Sequence, residues 1–400
     1  MKKGLYLLTD PKLLEPGTGA YQHIQIGFHQ LSQYYDMELL KVGSHASPGK
    51  AGAYVNKETA VPVKQKGLKS KLLAALPRKL HGTLKYVHWL IKNNIRFYSL
   101  YKTIKQKRPD FIYERCCILD FRGVIIARKL GIPHFYENNG ILVYQYHENF
   151  FSSYIKSLLL RIEQWSHKSS DFVFYVGTWG NVFNNSKKNW MNIENGIEAA
   201  WVQQNAGLKK QIDNHVIHCC VLGHLMKHHN VDILIDALNK QATNKRLNIS
   251  FVGSVQPDIW KLLNESLTIN NVEIDHRGIL NRDALLQLLR GTHVGIITGA
   301  HAYQSMMKLF DYGAAKCLVI APDTFNLTYW FSNEEVLFFR EKDSDSLAGQ
   351  LTLVAQKPAI IMEYGEKLYN TIQDKFTWDK IFGVKVRKIN RLINNNQRGI

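Results

Sequence analysis

Short apolar runs alternate with stretches of helical periodicity along most of the chain, a pattern that predicts βαβ units and parallel sheets. In the first half, Gly4–Leu8 reads as a strand, a loop rich in Pro and Gly runs to Gly19, and a helix follows from about Ala20 to Tyr34. Met37–Val42, Asp110–Tyr113, His134–Glu137 and Asp171–Val176 read as further strands, with a helix over Val124–Leu130 that ends at Gly131-Ile132-Pro133. The pattern restarts at Val216–Gly223, after a polar, strand-poor stretch from about Ile197 to His215 that reads as a linker. Strands are predicted again at Asn248–Val252, Val272–His276, His293–Ile297 and Cys317–Ala321. The predicted architecture is two α/β domains in series with a cleft between them.

Length and composition agree with this pattern. Four hundred residues suffice for two domains with separate cores, and 45% hydrophobic with 21% charged residues excludes a disordered chain. The net charge of +18 predicts an anionic partner surface: nucleic acid, phosphorylated small molecules or an acidic membrane face. Five cysteines, in two adjacent pairs (Cys116, Cys117 and Cys219, Cys220) and one singleton (Cys317), form no disulfide or zinc framework and predict a reducing, cytoplasmic setting. The apolar run at the start is too short for a signal-peptide core, and no run approaches the ~18 residues of a spanning helix. A soluble or peripheral protein is expected.

Two segments carry candidate chemistry. Gly17-Thr18-Gly19 lies between a strand and a helix, where glycines let the backbone approach a phosphate or sugar closely. A third glycine at dinucleotide-fingerprint spacing is missing, so the alternatives are a plain turn or a substrate-lining loop. In Tyr303–Ala315, Ser305 and Met306 are predicted to open a helix whose N–H groups could hold a phosphate, with Lys308 adding charge and Asp311 accepting a ribose hydroxyl. The same segment also reads as an ordinary amphipathic helix. Asp343-Ser344-Asp345 reads as a helix N-cap rather than a metal motif. His224, His228 and His229 lack carboxylate or cysteine partners at ligand spacing, so no metal is expected.

At Leu309-Phe310-Asp311-Tyr312-Gly313-Ala314-Ala315 and Val319-Ile320-Ala321-Pro322-Asp323 the sequence resembles the group 1 (family 4) glycosyltransferases of GT-B fold. Further blocks follow the family's order: Arg108-Pro109-Asp110-Phe111-Ile112-Tyr113-Glu114-Arg115, Lys129–Pro133 with Glu137-Asn138-Asn139-Gly140, Asn195-Gly196-Ile197-Glu198, Leu222–Leu225 and Val231–Ala237. The resemblance implies an acceptor-binding Rossmann-like domain over residues 1–196, a donor-binding one over 197–375, and a closing helix, 376–400, that crosses back to the first. It implies a nucleotide-sugar donor, transfer with retention of anomeric configuration, and no cofactor.

Carried over by position, Asp311 contacts the ribose, Ser305 and Met306 the diphosphate, and Arg277-Gly278-Ile279 the base, while Gly17 and Gly19 shape the cleft. Glu137 and Asn139 are expected to face the reacting sugar. Several positions depart from the family pattern. Tyr303 replaces the first acid of an E-x7-E pair, His224 and His229 replace an Arg and a Lys that meet the diphosphate, and Asn139 stands at the best match to a sugar-contacting His. Lys316 replaces a helix-ending glycine, a strained position for a residue with a Cβ.

From Thr59 to Arg108 the chain carries thirteen Lys or Arg and no acid, interleaved with Leu, Trp and Tyr. Lys85, Trp89, Lys92 and Arg96 represent this basic amphipathic face. It suits an anionic bilayer; a solvated helix face is the plain alternative, and without a recognised binding motif no nucleic acid is expected. Together these readings predict a retaining glycosyltransferase, peripheral on the cytoplasmic membrane face, that transfers from a UDP- or GDP-sugar to a glycan or lipid-linked acceptor in cell-surface polysaccharide or glycolipid assembly. Three alternatives stand beside it. A catalytically degenerate scaffold would show no turnover, a basic membrane- or RNA-binding module would ignore nucleotide sugars, and an epimerase of the same fold would convert donor without acceptor.

Overall fold

The computed structural model describes residues 1–9, 19–42, 77–115, 117, 119–140, 151–183, 189–213, 215–225 and 230–397. It divides into two compact units, Met1–Ile193 with Phe382–Ile400, and Glu194–Ile381.

The first unit is built on strands β1 (Lys3–Leu8), β2 (Asp36–Lys41), β3 (Phe111–Arg115), β4 (His134–Asn138), β5 (Phe172–Val176) and β6 (Trp190–Ile193). They form one parallel sheet in the order β2-β1-β3-β4-β5-β6. Helices α1 (Gly19–Ser32), α2 (Arg78–Asn94), α3 (Phe97–Lys107), α4 (Arg122–Leu130), α5 (Ser153–Ser169) and the short α6 (Gly180–Phe183) alternate with the strands. The inner strands are buried throughout, as their continuous apolar runs require when helices cover both faces of a sheet.

The second unit opens with α7 (Ala199–Gln203) and continues β7 (Val216–Leu222), α8 (Val231–Lys240), β8 (Arg246–Val252), α9 (Pro257–Ser266), β9 (Val272–Gly278), α10 (Arg282–Gly291), β10 (Val294–Ile296), α11 (Met307–Ala314), β11 (Leu318–Pro322), α12 (Phe325–Trp330), β12 (Leu337–Phe339), α13 (Ser344–Gln356) and α14 (Ile360–Lys375). Its parallel sheet runs β9-β8-β7-β10-β11-β12, the doubly wound order whose reversal point lies between β7 and β10. Asp343 caps α13, its carboxylate accepting from the Ser346 N–H at 2.8 Å.

The stretch read as a linker is not one. Trp201 and Val202 of α7 are buried, and the whole of residues 197–215 falls within the second unit. Its polar sequence hid a single turn anchored by one large aromatic residue. The closing helix α15 (Trp378–Gln397) contributes to the first unit from Phe382 onward. There Asn390 accepts from the Tyr35 hydroxyl at 3.0 Å and Asn394 from the Lys2 ammonium at 2.6 Å. No helix among the described residues is long and apolar enough to cross a membrane.

Candidate functional site

In a doubly wound sheet, ligands gather at the carboxyl ends of the strands, where the strand order reverses. In the second unit this point joins the end of β7 to the β10–α11 connection. Tyr312 fixes the arrangement: its hydroxyl accepts from the Leu222 N–H at 2.8 Å and donates to the Cys220 carbonyl at 2.9 Å, holding α11 against the end of β7. The chain then turns away at Gly223 (φ 117°), and the neighbouring strand turns at Gly253 (φ 123°). A Cβ on Gly253 would lie 2.2 Å from the Gly223 carbonyl oxygen, so only glycine permits the two loops to approach this closely.

Helix α11 begins one residue after the predicted start. Met306 is its N-cap and supplies no side-chain hydrogen bond, so the first N–H groups of the helix are not capped from within. Lys308, on the first turn, places its ammonium 3.6 Å from where a Gly223 Cβ would be, and it makes no ion pair among the described residues. Burial pushes its pKa down to about 8. An uncapped helix start thus carries on its first turn a half-buried cation that reaches the glycine following β7, a combination suited to an anionic ligand.

The Ser305 hydroxyl is already engaged, accepting from Asn195 Nδ2 at 2.9 Å and hydrogen-bonding the Glu194 carboxyl. Asp311 lies on the same helix, with its carboxylate held 3.0 Å from Arg282 Nη1. Burial raises its pKa to about 6, while the Arg282 charge opposes the rise. Arg282 also pairs with Glu198 at 2.9 Å and stacks 3.1 Å above the Trp201 ring. Trp201 and Arg282 escaped the sequence reading, and Glu198 entered it only as the last residue of the Asn195–Glu198 block; Trp201 fell in the stretch read as a linker.

The other second-unit positions are less concentrated. His224 is exposed and hydrogen-bonds the Ser254 hydroxyl. Arg277 is ion-paired with Asp275, Gly278 has φ 66°, and Ile279 is 83% exposed, which leaves this segment open at the end of β9. Tyr303 packs its ring against Phe325, with centroids 5.7 Å apart. Gly17 and His229 lie outside the described residues, and Gly19 is the first residue of α1. Lys316 adopts φ 55°, held by bonds from its ammonium to the Ala206 carbonyl and the Glu366 carboxylate, each at 2.8 Å.

In the first unit, Glu137 sits at the carboxyl end of β4 and is wholly buried. Arg115 Nη1 reaches one of its oxygens at 2.8 Å, Lys385 the other at 2.6 Å, and the Tyr113 hydroxyl donates to it as well. Burial pushes its pKa up, but Lys385, His23 and Arg115 together hold it well below the usual carboxylate range. The Asn139 carboxamide lies against the Arg115 guanidinium. Both oxygens of Glu137 are therefore occupied by protein groups, and the side chain expected to face a sugar instead anchors Arg115.

Lys85 on α2 and Arg96, the N-cap of α3, are exposed; the side chains of Trp89 and Lys92 are outside what is described. Among the described residues no group of three or more His, Cys, Asp or Glu is placed to hold a metal ion.

Residues 232–383, most of the second unit, match the family described as "Glycosyl transferase-like". Sucrose-phosphate synthase from Thermosynechococcus elongatus has a similar structure over 99% of this chain and 100% of its own, with a TM-score of 0.67 at 12% identity. The chain has the GT-B fold. This GT-B chain is similar also to Anabaena HepE, solved in complex with UDP (TM-score 0.66, 14% identity, 98% of this chain and 100% of that one). A third likeness is to the lipopolysaccharide outer core galactosyltransferase WaaB (0.62, 13%, 97% and 99%). No protein of curated function matches the sequence.

Proposed function

We propose that this protein is a retaining glycosyltransferase that transfers a sugar from a nucleotide donor held by the second unit to a glycan or lipid-linked acceptor held by the first, at an anionic membrane face in cell-surface glycan assembly. The observation that carries the donor assignment is the uncapped start of α11 with Lys308 placed over Gly223. Backbone N–H groups from Met306 onward and the Lys308 ammonium take the diphosphate, and their charge stabilises the departing nucleotide. Asp311 accepts from the ribose, and the exposed Arg277-Gly278-Ile279 segment meets the base. HepE has been solved with UDP-glucose, which makes a UDP-sugar the first donor to try.

Glu137 serves as a positioning residue in this reading. It fixes Arg115 and, beside it, Asn139 at the carboxyl end of the first sheet, and no protein side chain is assigned as base. The donor's own phosphate oxygen is left to take the acceptor proton.

The membrane assignment rests on one surface of the first unit. Leu84, Val87, Ile91, Ile95 and Tyr98 are exposed along α2 and the start of α3, as are Phe151, Tyr154, Leu158 and Trp165 on and before α5. The two helices share a core around Tyr86 and Leu159, and Phe151 donates its N–H to Thr83 Oγ1 at 2.7 Å. Arg78, Lys79, Lys85, Arg96 and Arg161 are exposed on the same segments. Apolar anchors among basic side chains fit an acidic bilayer.

A thermal-shift panel of UDP, GDP, ADP and their sugar conjugates tests the donor assignment. Stabilisation by one nucleotide family, lost in Asp311→Ala, is the expected result. No shift with any nucleotide would sink the reading and leave a degenerate scaffold.

A further inference from the structure

Behind the start of α11 lies a buried polar node. Glu194, the first residue of the second unit, is 2% exposed, yet its neighbours include no cation that offsets its charge. Its carboxyl takes hydrogen bonds from Asn326 Nδ2 at 2.7 Å, from the Asn195 N–H at 3.0 Å and from the Ser305 side chain. Asn195 Nδ2 donates in turn to Ser305 Oγ. Three segments distant in sequence are thereby tied together: residues 194–196, the residue before the α11 cap, and α12. Asn326 adds a backbone bond to the Ala302 carbonyl at 2.8 Å, so the node grips the β10–α11 connection at both Ala302 and Ser305.

Such a node is costly in a core that apolar packing could fill, because a buried carboxylate loses its hydration and every member must stay satisfied. Around Glu194 satisfaction is incomplete. Asn195 Oδ1 and Asn326 Oδ1, on two of its partners, are buried without a hydrogen-bond partner. Both of these unpartnered atoms are acceptors, and a proton on Glu194 would supply one more donor.

We propose that Glu194 is a positioning residue for the donor diphosphate: through Ser305 and Asn326 it sets the backbone that leads into α11, and its charge is linked to the charge of the ligand that binds there. The inference rests on the donor reading given above. Burial raises the Glu194 pKa to about 7, against the bonds from Ser305, Asn326 and Asn195. An ionised Glu194 opposes an anion bound at the helix start, so diphosphate binding favours the protonated form and affinity falls as pH rises through 7. No charged side chain contributes to the Glu194 shift; the other groups with shifted titration on the β10–α11 connection and α11 include His301, Lys308 and Asp311.

The test is calorimetric titration of UDP and of uridine into wild type, Glu194→Gln and Glu194→Ala at pH 6 and pH 8. His301, Lys308, Asp311 and the nucleotide's terminal phosphate are present in all three proteins, so the comparison between them isolates Glu194. In wild type, UDP affinity is expected to fall from pH 6 to pH 8 at least fivefold more steeply than in Glu194→Gln, which is neutral and keeps the acceptor oxygen. Glu194→Ala is expected to lose UDP affinity at both pH values, with uridine affinity unchanged in every variant.

Superimposable pH profiles of wild type and Glu194→Gln, or equal losses for UDP and uridine, would overturn the positioning role while leaving the donor reading intact. Failure of wild type to bind UDP while another nucleoside diphosphate binds moves the same titrations to that nucleotide. Failure to bind any nucleotide overturns both. Should Glu194→Ala not fold, the Glu194→Gln comparison decides alone.

Discussion

Arg282 Nη1 lies 3.0 Å from Asp311 Oδ1, and the other arm of the same guanidinium is held by Glu198 at 2.9 Å. The candidate ribose acid is therefore kept ready by a cation that is itself fixed by an acid and an indole. Burial alone would carry Asp311 further up from its pKa of about 6. Removing Arg282 should push the carboxyl through neutrality, because both the charge and the hydrogen bond that favour its ionised form are lost. Arg282→Ala is expected to weaken nucleotide binding about tenfold at pH 7 and to recover part of that loss at pH 8.5, read by calorimetry across that range.

The Glu137–Lys385 pair predicts a stability effect in the first unit. Lys385 is buried on α15 and supplies one of the two full charges that balance Glu137. Breaking a buried pair by deleting one partner costs about 3–5 kcal/mol, since the remaining charge stays buried. Lys385→Met should lower the unfolding free energy by that order, measured by urea denaturation, and Glu137→Gln with Lys385→Met should restore part of it. The folded-state pKa of Glu137 is depressed, so its contribution is complete above the unfolded value and is lost as pH falls below about 4.5. Wild type should show this acid loss and the double variant should not.

Lys316 offers a backbone test. With φ 55° it occupies a conformation that costs a residue with a Cβ about 1–2 kcal/mol, and its ammonium bonds to Ala206 and Glu366 offset part of that cost. Lys316→Gly relieves the backbone while losing the bonds, whereas Lys316→Ala loses the bonds and keeps the strain. Glycine should therefore be the more stable of the two by about 1 kcal/mol, a difference that thermal denaturation resolves.

The exposed apolar residues of α2 and α5 predict a membrane effect separable from donor binding. Ile91→Glu and Tyr154→Glu each remove an anchor and add a repelled charge. Each should weaken sedimentation with acidic liposomes several-fold, leave neutral liposomes unaffected and preserve nucleotide affinity. Loss of nucleotide binding in either variant would point to a folding defect instead.

Much of the fold was legible from residues alone, because a strand buried on both faces writes itself as a continuous apolar run, as Phe111-Ile112-Tyr113 and Leu318-Val319-Ile320 do. The edge strands β6 and β12 were not read. They are four and three residues long, and Trp190-Met191-Asn192-Ile193 mixes polar with apolar positions. The α11 segment was visible through its motif and its place after a strand. Its supporting groups were not: Asn326 reaches Glu194 across 132 residues of sequence, and Lys385 reaches Glu137 across 248. Periodicity reports which face of an element is buried, but not which distant polar group meets it there. Glu137 shows the same limit, since a motif gave its position and only packing revealed three groups closed around its carboxylate.

The central claim is that the second unit binds a nucleoside diphosphate through the start of α11 and Lys308. It is tested most directly by titrating UDP, GDP and ADP, with the nucleoside of whichever binds, into wild type and Lys308→Ala. The account predicts that one diphosphate binds wild type, that Lys308→Ala weakens it about tenfold or more, and that nucleoside affinity is unchanged. Unchanged diphosphate affinity in Lys308→Ala, or no binding by any nucleotide to wild type, would contradict it.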